Sequence, residues 1–556
     1  MNRAQVTEII TNISPAIDGV ADDNIKSIFK VLLNVIEELV SDNDKLREEN
    51  QKLRDENNRL KGEQGKPDIR KQSRASQNFS SEKDRNRKKK KKKKRDRKSK
   101  KDKIKIDRVE IRQIDKSQLP EDAVFKGYKD VITQDIVIKT DNIKFRKAIY
   151  YSPSLNKTFL AELPDGYDGE FGPGIKTLSI SLYNKSKMTQ SAIVEFLRDH
   201  GAFIGKATVS GFLTHHLDVF HQEKKDIVRE GLLSTVYQQM DDTSARANGK
   251  NYYDHILCNE FYTAYFTRPN KDRMTILEIL FQGEMQFIFN EIALSLMKLM
   301  KLPEKVMQYI QENPVIKIMN RNEIDSFLKM LFPDQNKHHA NRRIIVESSA
   351  IAAYRELPSA VQLLLTDDAP QYNQIAPLHP LCWIHDGRHY SKLNPVIPEH
   401  IQLVSQFRER YWDFYDKLLS YKLAPTESEA HVLCCEFDEL FQTKTGYNKL
   451  DERIEKTRGK KDQLLIVLQH PVIPLHNNNS ELGARDQARR RDVNLHTVSK
   501  AGVESKDTFM TITQTAKKMA VNFYHYVRDR IEKKYEMPSL ASMIAESGKK
   551  LVFNSS

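Results

Sequence analysis

The chain has 556 residues, with 90 Lys and Arg against 76 Asp and Glu, and this length is enough for about three or four domains. Its four cysteines are too few for a disulfide framework, and it has no apolar stretch of about 18 residues that could span a membrane. The first residues lack the apolar core of a secretory signal. We therefore expect a cytoplasmic protein with no membrane segment.

Residues 23–61 carry an apolar repeat of seven residues within the predicted domain 1–65. Leucine at the d positions and asparagine at the a positions favour a parallel homodimeric coiled coil, because buried asparagines pair across the seam and fix its register. A single solvated helix is the alternative interpretation. The predicted dimer seam consists of Leu32, Leu39, Asn43, Leu46, Asn50, Leu53, Asn57 and Leu60.

Residues 66–103 form a low-complexity linker that we expect to be disordered, because like charges at high density repel. The net charge of +14 is concentrated here: residues 83–105 contain 17 Lys and Arg and three Asp, and the rest of the chain balances. A solubilising linker is one interpretation. We favour sequence-independent binding to nucleic-acid phosphates, which releases counterions. The lysine run comprises Lys88, Lys89, Lys90, Lys91, Lys92, Lys93 and Lys94.

Residues 104–182 predict a β-rich domain that is a candidate for DNA binding, with strands near 107–114 and 130–139 and a ribbon over 147–163. Residues 183–230 predict a helical region.

Within that helical region, residues 189–213 have a helix–turn–helix pattern. Thr189 is placed to cap the first helix, and the second helix carries Thr208 and Ser210. Such a unit can insert its second helix into a DNA groove, although any helical hairpin produces the same pattern.

Residues 231–500 alternate between strand and helix patterns, which indicates an α/β core. Strands are predicted over 232–268 and 361–368, helical insertions over about 281–360 and 396–470, and a C-terminal helical region over 501–556 with one amphipathic helix at 507–535.

Three acidic residues follow or open predicted elements. Asp241 and Asp367 each end a strand, and Glu481 opens a helical stretch. Carboxylates at the ends of neighbouring strands converge on one crevice, and two aspartates with a further carboxylate can hold two Mg²⁺ ions. Such a centre suits in-line phosphoryl displacement. Acidic turns after strands are common, so this pattern alone is weak.

Around these three acids the sequence resembles the insertion sequence 66 family of transposases. The segments are "QQMDDTSARANG", "LLLTDDAPQYN" followed by "CWIHDGRHY", and "NNNSELGARDQARRRDV". They match the family patterns D-[DE]-T, D-x-x-x-x-Y with C-W-x-H-x-x-R, and N-N-x-x-E. The resemblance covers most of residues 104–535, and residues 145–178 and the zipper-like N-terminus are also similar.

The resemblance implies a multidomain α+β protein whose ribonuclease-H-like core, of the retroviral-integrase type, spans residues 231–500. It implies that Asp241, Asp367 and Glu481 are catalytic and bind two Mg²⁺ or Mn²⁺ ions. The implied activity is metal-dependent cleavage at the ends of an insertion sequence and strand transfer into target DNA, in association with the nucleoid. The expected DNA contacts outside the lysine run are Thr208, Ser210, His385, Arg388, Arg489, Arg490 and Arg491.

The sequence also departs from the family. Many relatives have a cysteine-rich zinc finger after the N-terminal helix, where this chain has its lysine run. Cys382 and His385 match the C-W-x-H motif, but one such pair is not a zinc site, and we expect no zinc. We expect Cys434 and Cys435 to be core residues.

Three other interpretations remain. The chain could be a non-catalytic dimeric DNA-binding regulator, in which the three acids do not converge. It could be a nuclease that cuts without joining, or an inactivated transposase. The expected partners are double-stranded DNA, a second copy of the chain and small accessory transposition proteins.

Overall fold

The structure is a computed structural model that describes residues 3–18, 22–60, 104–115, 119–120, 123–167, 169–313, 317–334 and 336–554. The lysine run and the predicted disordered linker lie outside the described residues, as does the side chain of Leu60. The described part combines α-helices with two small β-sheets, and helices predominate. In these ranges no helix has the length and apolar character needed to cross a bilayer.

The N-terminal region consists of helices α1 (Arg3–Asp18) and α2 (Asp23–Leu60). One face of α2 packs on the rest of the chain, because Leu33, Asn34 and Glu37 are buried. The other face carries the predicted seam, and its leucines at positions 32, 39, 46 and 53 are between 49% and 64% exposed. The structure therefore confirms the helix and leaves the seam leucines on the surface of the single chain.

Two polar residues fix α2 to the helical region near residues 396–448. The Glu37 carboxylate accepts hydrogen bonds from the backbone N–H groups of Val396 at 2.9 Å and Ile397 at 3.2 Å. Asn34 donates to the carbonyl of Gly446 at 2.9 Å and accepts from the N–H of Asn448 at 3.0 Å. These bonds satisfy buried polar groups at both ends and set the position of α2 along the surface.

The prediction of strands at 107–114 and 130–139 is wrong, because the described residues of 104–148 form neither helix nor ladder. Alternating apolar residues predict a strand only where a neighbouring strand can supply hydrogen bonds, and here large apolar side chains such as Val109 are exposed. The predicted ribbon is confirmed as the antiparallel hairpin of β1 (Ile149–Ser152) and β2 (Lys157–Leu160).

The region of the predicted helix–turn–helix is helical. The structure confirms the cap at Thr189, whose hydroxyl accepts from the N–H of Ala192 at 3.2 Å. Gly201 ends the first helix in the left-handed region, with φ of 88°. The helices of this region are α3 (Pro173–Asn184), which begins inside the predicted β domain, α4 (Gln190–Asp199), α5 (Lys206–Thr214) and α6 (Asp218–Leu233).

The central sheet has four strands in the order β5-β4-β3-β6. The pairs β3–β4 and β4–β5 are antiparallel, whereas β6 runs parallel to β3. The strands confirm the predicted strand-rich segments: β3 (Tyr237–Ala247), β4 (Lys250–Cys258), β5 (Thr263–Arg268) and β6 (Leu363–Leu365).

The outer edge of β5 is covered by the side chains of a C-terminal helix. Alternate N–H groups of the strand donate to side chains spaced four apart on the helix, which protects the edge from pairing with other chains. The bonds run from Thr263 to Thr515, from Tyr265 to Thr511 and from Thr267 to Asp507.

Helices fill both predicted insertions. The first, between β5 and β6, contains α7 (Arg273–Phe281), α8 (Glu291–Leu299), α9 (Glu304–Glu312), α10 (Arg321–Leu331) and α11 (His339–Arg355). Before the second insertion lies α12 (Trp383–Ser391), and its fully buried Trp383 is part of an aromatic core shared with the insertion. The insertion itself contains α13 (Pro398–Tyr421), α14 (Glu427–Phe441), α15 (Asn448–Arg458) and α16 (Lys461–Leu464).

The C-terminal part contains α17 (Asn478–Asn494), α18 (Lys500–Lys518), α19 (Phe523–Ile531) and α20 (Leu540–Asn554). The prediction of one helix over 507–535 is wrong. Ala520 adopts a left-handed backbone with φ of 56°, and Asn522 caps the next helix by accepting from the N–H of His525. The apolar face nevertheless remains continuous, because residues before and after the break enter the same core.

Candidate functional site

Asp241 lies within β3, and Asp367 lies at the matching position two residues beyond the end of the parallel strand β6. The register pairs Gln239 of β3 with Leu365 of β6, and each aspartate lies two residues further along its own chain. Paired residues of adjacent parallel strands point to the same face, and such strands are about 4.8 Å apart. The two carboxylates therefore converge on one side of the sheet.

The electrostatics of the pair agree with this proximity. Burial, followed by the charge of Asp367, raises the pKa of Asp241 to about 8. The pKa of Asp367 is also raised, by burial first and then by the charge of Asp242. Because both ionised forms are disfavoured, a bound cation would be strongly stabilising at this point.

The residue that follows each of these aspartates has a different environment. Asp242 accepts a hydrogen bond from Gln371 at 3.0 Å and lies 3.5 Å from the ammonium of Lys271. Asp368 forms an ion pair with Lys460 and is about half exposed. Each of these two acids thus already has a lysine partner.

Helix α17 brings Glu481 to the same region. The side chain of Asn477, just before the helix, donates to the carbonyl of Met240 at 2.7 Å, next to Asp241. Two residues beyond Glu481, a Cβ on Gly483 would lie 2.9 Å from Cγ2 of Ile256, so the helix rests directly on β4. The charge of Glu481 contributes to the raised pKa of Asp241.

The Glu481 carboxylate is buried and contacts three basic side chains. Its Oε2 atom lies 3.2 Å from Nη2 of Arg388 and 3.2 Å from Nη2 of Arg485, and Oε1 lies 3.7 Å from Nδ1 of His385. His385 and Arg388 are three residues apart in α12, so they share one face of that helix. In this arrangement the arginines hold Glu481, and a metal ion at the aspartates would compete with them for it.

Cys382 precedes α12 and lies beside the same carboxylate. Its sulfur accepts a hydrogen bond from the N–H of Asn477 at 3.2 Å. Burial raises the pKa of the Cys382 thiol to about 12, so without a cation the sulfur is protonated at neutral pH.

The two predicted core cysteines lie outside this site. Cys434 is half-buried and Cys435 is exposed, so the expectation that Cys435 is a core residue is wrong.

The predicted basic contacts on α17 have different environments. Arg490 is only 3% exposed, donates to Asn184 at 3.0 Å and stacks on the ring of Tyr183, so its prediction as a DNA contact is wrong. The packing of α17 turns this guanidinium towards α3. Arg491 donates to the carbonyl and hydroxyl of Ser244, both at 2.6 Å, and Arg489 is exposed.

The predicted contacts on α5 are only partly accessible. Thr208 and Ser210 are half-buried, and α5 packs against α3, α4 and α18.

Arg485 is a site residue that the sequence did not single out. Its position four residues after Glu481 on one helix was the available signal, because such pairs are neighbours on a helix surface.

Comparisons with known proteins give a relative without an assigned function. No family model matches the chain. The chain is similar to the uncharacterized protein y4jO of Sinorhizobium fredii (strain NBRC 101917 / NGR234), with 28% identity over 317 residues. The match covers 55% of this chain and 94% of the relative.

Proposed function

We propose that the chain is a DDE-type transposase that cleaves DNA at the ends of an insertion sequence and joins the freed ends to target DNA. The observation that carries the proposal is the convergence of Asp241, in β3, and Asp367, just beyond the parallel strand β6, with Glu481 brought near enough by α17 for its charge to raise the pKa of Asp241. A regulator without chemistry gives no reason for two buried acids of raised pKa to lie side by side.

The sheet supports the type of core that the resemblance implies. Three antiparallel strands are followed, after a helical insertion, by a fourth that runs parallel to β3. This crossover puts the second acid beside the first, as a ribonuclease-H-like core requires. The second insertion then separates Asp367 from Glu481, as the family pattern also implies.

The residues fit a pair of hard divalent cations such as Mg²⁺ or Mn²⁺, because three carboxylates supply oxygen ligands and negative charge. When bound, two such ions activate the attacking water or 3′ hydroxyl and stabilise the leaving oxygen. Asp241 and Asp367 would hold them on the sheet, and Glu481 would complete the ligand set from α17. Arg388 and Arg485 would then be available to DNA phosphates.

Dimerisation suits this function, since two DNA ends must be processed together. The exposed leucines of α2 follow the predicted seam and face away from the docked residues Leu33 and Glu37. We infer that a second copy of the chain covers this seam.

The direct test is a joining assay with Mg²⁺ and a supercoiled plasmid that carries the DNA flanking the gene. Wild-type protein is expected to cut and join, and Asp241→Asn and Asp367→Asn to do neither while still binding DNA. Asp368→Asn is the matched control, because this neighbour pairs with Lys460. Joining by Asp241→Asn would contradict the proposal, and cutting without joining would favour a nuclease.

A further inference from the structure

A second set of cation-binding side chains lies around Glu481. The sulfur of Cys382, a ring nitrogen of His385 and a carboxylate oxygen of Glu481 all lie within 4.8 Å of one another. Cys382 and His385 come from the start of α12, three residues apart, and Glu481 comes from α17. The sequence shows only the first two donors together, which is why no zinc was expected from it.

We propose that Cys382, His385 and Glu481 form a binding site for one divalent cation of the Zn²⁺ class. Thiolate, imidazole and carboxylate are the protein ligands of Zn²⁺, whereas Mg²⁺ prefers oxygen alone. Ligand atoms about 2.0–2.3 Å from a tetrahedral Zn²⁺ lie about 3.3–3.7 Å from one another. Nδ1 of His385 and Oε1 of Glu481 are already 3.7 Å apart, so closing the site needs only small side-chain movements.

The two oxygen atoms of the Glu481 carboxylate have different neighbours. Arg388 and Arg485 both lie at Oε2, whereas Oε1 is the oxygen on the side of His385. The cation and the arginines therefore need not share an oxygen atom. A carboxylate held in this way is also oriented before the cation arrives.

The sulfur is similarly oriented. The N–H of Asn477 donates to Sγ of Cys382 at 3.2 Å, and hydrogen bonds from outer partners are a regular feature of metal-bound ligands. Cys382 is 1% exposed and Glu481 is 6% exposed, while the side chain of His385 is 25% exposed. A cation can reach the site from the His385 side, and its fourth position is left for water.

The site shares Glu481 with the proposed catalytic centre. A cation bound by Cys382 and His385 would hold the side chain of Glu481 against α12. The carboxylate would then be kept away from Asp241 and Asp367. Excess Zn²⁺ should therefore slow the Mg²⁺-dependent reaction, a consequence that rests on the proposed function, whereas binding itself does not.

The test uses Co²⁺ as a spectroscopic probe for Zn²⁺ on the full-length chain, without DNA. We expect one equivalent to bind with the absorption of a tetrahedral ion and a thiolate-to-cobalt charge-transfer band, and Zn²⁺ to displace it. Cys382→Ser should remove the charge-transfer band. His385→Gln and Glu481→Gln should weaken binding by more than about tenfold, the scale reported for loss of a ligand's partner.

Two control variants make the result specific. Asp241→Asn should keep the cobalt spectrum, because it changes only the proposed magnesium centre. Cys435→Ser should also keep it, although Sγ of Cys435 lies 3.9 Å from Nε2 of His431 and forms an alternative pair. If Cys382→Ser does not fold, as judged by circular dichroism, the more accessible His385→Gln decides. Absence of a thiolate band, its survival in His385→Gln, or its loss in Cys435→Ser would overturn the proposal.

Discussion

Arg388 and Glu481 form an ion pair in which Nη2 of the guanidinium lies 3.2 Å from Oε2 of the carboxylate. The pair joins α12 to α17, and Arg485 contacts the same oxygen. Because Glu481 is buried, water cannot solvate its carboxylate, and the two arginines compensate its negative charge instead. A DNA phosphate would offer both arginines a competing acceptor, so we expect DNA binding to make Glu481 available to the metal ions.

The first prediction concerns Arg388→Met. In the DNA-free protein this change should tighten Mg²⁺ binding, since the cation no longer competes with Arg388 for Glu481. DNA cleavage should nevertheless slow by about 10–100-fold, because the ligand loses a residue that positions it. Titration calorimetry and single-turnover cleavage measure the two effects. Arg410→Met, on an exposed arginine of α13 that bonds Thr443, is the control, and equal behaviour of the two variants would refute the pairing.

A second prediction follows from the raised pKa of Asp241. Between its ordinary pKa near 4 and its value of about 8 in the folded chain, the native state binds a proton that the unfolded chain has lost. The contribution of Asp241 to the free energy of unfolding therefore decreases as pH rises through this window. Mg²⁺ binds the ionised form, so the stabilisation that it gives should grow with pH.

Urea unfolding at several pH values between 5 and 8, about the span of that shift, measures this effect. Without metal, the free energy of unfolding of Asp241→Asn should rise relative to that of the wild type as pH increases. Mg²⁺ should increase the free energy of unfolding of the wild type only. Asp368→Asn should follow the wild-type curve. Parallel curves for wild type and Asp241→Asn would show that the acid pair does not carry the proton.

The third prediction concerns the height of α17 above the sheet. Gly483→Ala would bring Cβ to 2.9 Å from Cγ2 of Ile256, so the helix must shift. We expect a loss of about 1–3 kcal/mol in the free energy of unfolding, as for other overpacked sites, and a larger loss of activity because Glu481 moves with the helix. Gly174→Ala in α3, where nothing lies within 4 Å, should lose neither. Full activity of Gly483→Ala would mean that the position of α17 is not critical.

The fourth prediction concerns the exposed seam of α2. The double change Leu39→Arg with Leu46→Arg should leave α2 docked. It removes four leucines from the dimer, two from each copy, and about 6–12 kcal/mol of association energy at about 1.5–3 kcal/mol for each buried leucine. That loss is at least about 10⁴-fold in Kd, measured by analytical ultracentrifugation. Leu423→Arg, on an 88% exposed leucine elsewhere, should remain a dimer. A monomeric wild-type protein would refute the seam.

The sequence predicted the strand-rich segments and an acidic pair near each of two strands, which is a local signal. It placed Asp241 at the end of its strand, but β3 continues to Ala247, and only Asp367 follows the end of its strand, β6. Neither segment alone could show the parallel register that puts Asp241 and Asp367 at matching positions. The contact of Arg388 with Glu481 spans 93 residues of sequence and depends on how two helices meet. Local patterns do not contain such information.

The errors also have physical causes. The alternation over 107–114 is a local signal for a strand, but no neighbouring strand pairs with it in the described residues. The break at Ala520 has no glycine or proline to announce it, and α19 begins because Asn522 can cap it. Arg490 belongs to a basic run, and such runs are usually exposed on the surface. The side of α17 on which Arg490 lies nevertheless packs against α3.

The two faces of α2 have a consequence for protein engineering. A foreign leucine zipper grafted in place of α2 could restore pairing between copies, but it would lack Asn34 and Glu37, which seat this helix on the second insertion. In such a chimaera the zipper would join two copies without being docked on either of them. A graft that keeps residues 33, 34 and 37 of the native helix would retain the docking. Comparing the two grafts would show whether activity needs only two joined copies or also a fixed orientation between them.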